Sequence, residues 1–186
     1  MTRTFVIRTP RLSLIPATPA LARAEINDRE EFARLLSASV PDNWPPESAV
    51  DALPIFLTWM EAAPDQTGWF AWYALASEDH STHRVLVAGA GFKGPPRDGT
   101  VEVGYSVLPQ FQNRGFAREM VTGLVRWALD QPGVTCVRAE TEWENPASQR
   151  VLAKAGFSRI GPSTSVGSWF EFTAGVTSLL ESSARP

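Results

Sequence analysis

The residues with the clearest chemical purpose form one short run, Gln112-Asn113-Arg114-Gly115-Phe116-Ala117-Arg118, between an alternating apolar segment that ends at Pro109 and a helical pattern that starts at Gly115. The leading N–H groups of a helix have no partner inside it, and the helix dipole adds positive character there, so such a start binds anions. Gly115 allows close approach of the backbone to a phosphate, and Arg114 and Arg118 add charge. The same spacing also suits an ordinary strand–loop–helix joint with a glycine at the cap, and short motifs of this kind are weak by themselves. Farther along, Asn145-Pro146 predicts a second helix entry, with Asn145 as the cap and Pro146 in the first turn; capping alone would account for Asn145. Cys136 is the sole thiol and sits within a strand pattern, where a small buried hydrophobe is expected rather than a nucleophile. The two histidines, His80 and His83, fall in a polar stretch, and no Cys/His cluster has metal-ligand spacing, so no metal is expected. No Gly-x-x-x-x-Gly-Lys-(Ser/Thr) string or aspartate cluster supports the alternative of an ATP-binding glycine loop.

The surrounding pattern supplies elements to hold these residues. Trp69–Ser77, Arg84–Phe92 and Thr100–Leu108 read as successive strands, and the short turn-rich connections imply an antiparallel meander. After Gly115, the residues Ala117, Val121, Leu124, Val125 and Ala128 fall on one helix face, and Pro132-Gly133 stops the helix. A strand over Val134–Thr141, a helix over Ala147–Ala155 capped by Gly156, and short strands at Phe157–Ile160 and Trp169–Thr173 follow. The first third is mostly helical. A strand at Arg11–Ile15 ends at Pro16, helical patterns cover Leu21–Ile26 and Phe32–Leu36, and Pro41–Pro46 is irregular. A helix over Glu47–Ala62 should kink or break at Pro54. The sum is an α+β fold, helices on a sheet.

Composition narrows the class. The 186 residues suit one domain, long enough to bury about 70% of the unfolded surface without disulfide or metal staples. Hydrophobic residues at 44% and charged residues at 20% describe a globular protein rather than a disordered or membrane-spanning one. The net charge of -3 argues against nonspecific nucleic-acid binding, which needs a basic surface. A single cysteine and an N-terminus without an apolar leader region point to the reducing cytoplasm, and the apolar runs are too short to span a membrane.

Taken together, the two segments resemble the GCN5-related N-acetyltransferase (GNAT) superfamily. Gln112 to Ala117 matches its acetyl-CoA loop, (Gln/Arg)-x-x-Gly-x-(Gly/Ala), while Asn145, Ser148, Lys154, Gly156 and Phe157 match its downstream Asn-x-x-Ser-…-Lys-x-Gly-Phe pattern. Thr9-Pro10-Arg11-Leu12 is similar to the opening of the RimJ/RimL-like branch, which acetylates ribosomal-protein N-termini among other substrates. The resemblance implies a mixed, largely antiparallel central sheet with flanking helices and a splayed, V-shaped gap. That gap would lie between the strand ending near Leu108 and the strand ending near Thr141. It implies a single N-acetyltransferase domain over residues 1–180, with 181–186 as a flexible tail. The implied activity is transfer of an acetyl group from acetyl-CoA to a primary amine, a protein N-terminal α-amine or a small molecule, by direct attack in a ternary complex. By the same resemblance the pantetheine arm would bond to Val107 and Leu108, the pyrophosphate would sit on amides from Gln112 through Asn113, Arg114, Gly115, Phe116 and Ala117 to Arg118, Asn145 would contact the pantetheine chain, and Ser148 would lie near the sulfur.

Many members of the family use a tyrosine at the position occupied here by Leu152 to protonate the leaving thiolate. Ser148 is then the candidate donor, acting by hydrogen bonding, although a serine touching only solvent or cofactor fits equally. Glu102, on the strand leading to the loop, is the first candidate base; it shares a face with Gly104 and Ser106, which suits either a substrate pocket or a solvated edge. Glu171 is the second. Trp44, Trp69 and Trp72 are candidates for the acceptor pocket, but Trp69 and Trp72 cannot both face one side of a regular strand, so at least one belongs to the core or to a homodimer surface. The missing tyrosine also admits a non-catalytic acyl-CoA-binding sensor on the same fold.

Overall fold

The computed structural model describes residues 5–77, 83–162 and 167–173; the expected tail at 181–186 lies outside them. In chain order these residues form strands β1 (Ile7–Arg8) and β2 (Leu12–Pro16), then helices α1 (Pro19–Asn27), α2 (Arg29–Leu36), α3 (Glu47–Val50) and α4 (Leu53–Ala62). Strands β3 (Ala71–Ser77), β4 (Arg84–Phe92) and β5 (Thr100–Val107) follow, then a 3-10 turn (Pro109–Phe111) and helix α5 (Phe116–Leu129). Strand β6 (Cys136–Glu142), helix α6 (Pro146–Lys154) and strands β7 (Ser158–Pro162) and β8 (Gly167–Thr173) complete the order.

The strands join one mixed sheet in the order β1-β2-β3-β4-β5-β6-β8-β7. Neighbours are antiparallel throughout except β5 and β6, which run parallel. That parallel pairing covers only Thr100↔Cys136, Val101↔Val137 and Glu102↔Arg138. Beyond Glu102 the two strands part, while the other edge of β5 stays paired with β4 from Val103 to Val107. The expected V-shaped gap is therefore present, and its closed end is the Glu102–Arg138 register.

Alternation along the strands divides the core into two halves. One face carries Leu14, Trp72, Ala74, Val87, Val101 and Val103 and is covered by α5, where Val121, Leu124, Val125 and Ala128 of the expected stripe are buried together with Met120, while Ala117 is only half-buried. The opposite face carries Ile15, Tyr73, Leu75, Leu86 and Leu108 and is covered by the N-terminal helices through Leu21, Phe32, Leu36 and Met60. The aromatic residues before β3 depart from expectation. The strand begins at Ala71, so Trp69 is free of strand alternation, and both Trp69 and Trp72 pack on Trp127 of α5, with centroids 4.7 and 5.2 Å away. Gly68, with φ of 98°, makes the bend, and its carbonyl accepts a 2.7 Å hydrogen bond from the Trp72 indole. The anticipated helix over Glu47–Ala62 is two helices, with Pro54 in the first turn of the second rather than at a kink; proline tolerates that position because the N–H it lacks would be unpaired there. Strand β1, two residues long, was too short to leave a periodic signal.

Two glycines facing the helical side give a paired test of packing. A Cβ on Gly91 would meet the Phe70 carbonyl oxygen at 2.3 Å, whereas one on Gly104 would meet nothing within 4 Å. Gly91→Ala should cost about 1–3 kcal/mol, a fall in Tm of roughly 2–12 °C at about 2–4 °C per kcal/mol. Gly104→Ala should leave Tm nearly unchanged. Thermal unfolding of the two variants checks both, and equal losses would contradict the packing described.

Candidate active site

The loop Gln112–Gly115 acquires its shape from left-handed backbone at Asn113 (φ 59°) and Gly115 (φ 82°), just ahead of α5. No side chain caps α5, so its first N–H groups are left for an outside acceptor, the feature a bound pyrophosphate needs. Arg114 and Arg118 are exposed beside it. The loop is clamped from far away in sequence by Arg11, one residue before β2. Its guanidinium donates to the Arg114 carbonyl at 2.8 Å and to Glu119 Oε2 at 2.7 Å, and it lies over the Phe116 ring at 4.8 Å. Glu119 Oε1 accepts from the Arg11 N–H and the Thr9 hydroxyl at 2.7 and 2.6 Å. Burial pulls the Glu119 carboxyl upward, but those hydrogen bonds and the Arg11 charge outweigh it and hold the group below the usual carboxylate range. The clamp is therefore complete at neutral pH and weakens only as acid protonates Glu119.

Hydrogen bonding sorts the backbone of β5. The Glu102 carbonyl accepts from Lys93 and the Leu108 N–H donates to Val87, so even-numbered residues bond toward β4 and odd-numbered ones face the gap. Val103 makes the last bond to β6, through the Glu102↔Arg138 pairing, and Tyr105 and Val107 beyond it present an open strand edge. The Val107 carbonyl accepts from Gln112 Nε2 at 3.0 Å. Leu108 was expected to bond the ligand, but its N–H is used by Val87 and its carbonyl accepts from Phe111, so both groups are already paired within the chain.

Across the gap, Asn145 Oδ1 caps α6 by accepting from the Ser148 N–H at 2.9 Å. The Tyr105 hydroxyl reaches over and shares a 2.8 Å hydrogen bond with Ser148 Oγ. Burial pushes the Tyr105 phenol up, against the lowering effect of Ser148, so it stays protonated at neutral pH. Tyr105 was passed over in the sequence because the tyrosine sought was a helical one. Its position three residues after Glu102, on the opposite face of β5 from Glu102, was the available signal.

The candidate bases lie in a row of charge. Glu102 is ion-paired with Lys93, just past the end of β4, and Glu171 with Arg138, while Glu102, Arg138 and Glu171 occupy adjacent registers across β5, β6 and β8. Cys136 lies opposite Thr100 in the paired part of β5 and β6, two registers behind the closed end of the gap, and burial, reinforced by Glu171, keeps its thiol protonated.

The helical face of β4 and β5 holds a cavity of about 220 Å³. Gly89, Gly91, Gly104 and Ser106 line its sheet side, and Trp44 and Phe56 are among the residues closing it from the helices. Of the three tryptophans expected at an acceptor pocket, Trp44 lines this cavity. Trp69 does not line the cavity, and the Trp72 ring is buried beneath α5, leaving its backbone to reach the wall. Glu25 of α1, absent from the sequence-based candidates, lines the cavity and accepts from Trp44 Nε1 at 2.7 Å and from the Tyr73 hydroxyl at 2.6 Å. A glutamate on the helix face beside Ala22 and Ala24 carries no motif, which is why it was missed.

Among the described residues no cluster of His, Cys, Asp and Glu could hold a metal, and no helix is long and apolar enough to cross a membrane. A family model described as an acetyltransferase (GNAT) domain matches residues 11–158. The uncharacterized N-acetyltransferase YjdG of Bacillus subtilis is 26% identical over 153 residues, covering 82% of this chain and 89% of that protein. FsC-acetyl coenzyme A-N(2)-transacetylase of Aspergillus fumigatus is 30% identical over 106 residues, 55% of this chain and 45% of that one. Among solved structures, the RimL ribosomal L7/L12 alpha-N-protein acetyltransferase in complex with coenzyme A superposes with a TM-score of 0.60 at 14% identity, covering 91% of this chain and 98% of that one. The acetyltransferase yncA of Salmonella typhimurium with acetyl-CoA gives a TM-score of 0.56 at 21% identity, covering 89% and 95%.

If the Arg11 clamp shapes the loop, Arg11→Ala should weaken acetyl-CoA binding about tenfold, or about 1.4 kcal/mol. Arg11→Lys should recover little, because an ammonium cannot serve Glu119 and the Arg114 carbonyl in the same fork. Isothermal titration reads both; full affinity in the alanine variant would mean that the loop keeps its shape unaided.

Proposed function

The chain belongs to the GNAT acetyltransferase family and is an acetyl-CoA-dependent N-acetyltransferase; on that premise we propose that it acetylates a primary amine by direct attack in a ternary complex, with the gap beside β5 as the meeting place of donor and acceptor. The observation that carries this reading is the unpaired edge of β5 leading straight into an uncapped helix start. The N–H groups from Asn113 to Arg118 would hold the pyrophosphate, with Arg114 and Arg118 adding charge. The gap-facing backbone of Tyr105 and Val107 would hold the pantetheine arm as an added strand, with the Asn145 side chain at its far side. Both features fit the group, since each leaves backbone polar atoms without partners in the chain that supplies them.

Bound acetyl-CoA supplies an activated acetyl thioester, whose acetyl group passes to the amine nitrogen as the C–S bond breaks and the thiolate leaves. Ser148 holds a proton for that thiolate. Tyr105, kept protonated by its burial, shares a hydrogen bond with Ser148 Oγ and can replace the proton the serine gives up. Two carboxylates on the cavity face can take a proton from the incoming ammonium. Glu102 must first release Lys93, whereas Glu25 has no cation to release among the described residues. Cys136 takes no part, being protonated and behind the closed end of the gap.

The RimJ/RimL-like branch is favoured by the Thr9–Leu12 opening, because Thr9 and Arg11 are the residues that tie the N-terminal strand to the cofactor loop. An α-amine acceptor also asks less of the base. With a pKa of about 7.7–8.0 it is roughly a quarter neutral at pH 7.4, against about 0.1% for a lysine near 10.4. A cytoplasmic setting suits the single cysteine.

Thiol release with a panel of amines tests the reading. Ser148→Ala and Tyr105→Phe should each lower kcat about a hundredfold, the low end of the range for general acid catalysis, with acetyl-CoA affinity nearly unchanged. The double variant should be little worse than either, because the two hydroxyls form one relay. Losses confined to cofactor affinity would reduce Ser148 to a binding contact.

A further inference from the structure

The carboxylate of Glu25 is in an unusual position. It lines a cavity walled on the helical side by Trp44, Pro46, Leu53 and Phe56 and floored by glycines. Both of its oxygens are held, but by neutral donors, the Trp44 indole and the Tyr73 hydroxyl. Tyr73 is itself 2% exposed and Trp44 7% exposed, so the two donors are fixed parts of the core rather than mobile surface groups. Among the described residues no Lys, Arg or His stands within ion-pairing distance of Glu25, whereas Glu102, Glu119 and Glu171 each have a basic partner. Lys93, the one basic side chain lining the cavity, is committed to Glu102.

A carboxylate in apolar surroundings without a counter-cation is costly to keep ionised, and burial does raise its affinity for a proton against the pull of its two hydrogen bonds. Tying Trp44 to Tyr73 would not require a charge. A charge set at the wall of an apolar cavity, and left without a partner by the chain, is matched by a ligand that brings the cation and an apolar body together. The location suits an acceptor. Gly104 and Ser106 line the cavity while Tyr105, between them, points through to Ser148 on the other face.

The geometry points to Glu25 as the residue that receives the acceptor's ammonium group, and to the cavity as selecting a primary amine carried on a compact apolar or aromatic body. This rests on the acetyltransferase reading above and goes beyond it by naming the acceptor class. A volume of about 220 Å³ lies below the roughly 300–1,000 Å³ of drug-sized pockets, which limits the body to about one ring or a short branched chain. A polyamine is a poor match, since its second cation would meet only apolar wall.

The test uses the full chain saturated with coenzyme A and three probes, 2-phenylethylamine, its neutral isostere 2-phenylethanol, and spermidine. By isothermal titration the wild type should bind the aromatic amine at least tenfold more tightly than either of the others. In Glu25→Gln the amine and the alcohol should bind alike, with coenzyme A affinity unchanged, and Glu25→Asp should restore part of the preference. Measured KM for 2-phenylethylamine should rise in the glutamine variant by a similar factor. A wild type that does not discriminate amine from alcohol, or that prefers spermidine, overturns the proposal without needing any variant. A preference that survives Glu25→Gln but disappears in Glu102→Gln overturns it as well. Failure of the wild type to bind coenzyme A or acetyl-CoA at all would instead overturn the acetyltransferase reading on which the proposal stands.

Discussion

The rest of the structure depends on the short pairing between β5 and β6. The two strands hydrogen-bond for three residues and then separate, which leaves the N–H and C=O groups of Tyr105 and the N–H of Val107 facing a gap inside the sheet rather than another strand. Unpaired backbone is expensive unless something supplies partners, and an exposed strand edge is a template for an added strand. The row Lys93–Glu102 and Arg138–Glu171 fastens the sheet at the last paired register, so the parting begins at a fixed place. At the open end the gap is bridged by the hydrogen bond between Tyr105 and Ser148 and bounded by the start of α6.

That parting gives the two faces of the sheet different work. On one face α5 delivers an uncapped helix start to the end of β5, and the Arg11–Glu119 contact holds the intervening loop against β2. On the other, α1 and the helices after it enclose a cavity over the glycines of β4 and β5. Strand alternation then assigns neighbouring residues of β5 to opposite duties, Tyr105 to the thiol side and Gly104 and Ser106 to the acceptor side. The absence of a tyrosine at Leu152 is met by a different route, since Leu152 is fully buried in the core and the phenol near Ser148 comes from the strand instead.

Much of this was legible in the residues. Strand β4 falls where the pattern placed it, and the stripe on α5 and the cap at Asn145 follow from spacing and local capping chemistry. The loop motif and the Asn145–Phe157 pattern together identified the family. What escaped depends on contacts distant in sequence. Glu25 gains its meaning only from Trp44 and Tyr73, which the fold brings to it across 19 and 48 positions. Tyr105 could be placed on a strand but not against Ser148, because the width of the gap has no local signature. Strand alternation separated Trp69 from Trp72; a start at Ala71 rather than Trp69 put both in the same aromatic cluster.

Hydrogen–deuterium exchange with and without acetyl-CoA measures the gap itself. The ligand should slow exchange at Tyr105 and Val107 and at the amides from Asn113 to Arg118, while the fully paired amides of β4 change little. Protection that leaves the β5 edge untouched, or that appears only at the N-terminal helices, would contradict the placement of the cofactor between β5 and β6.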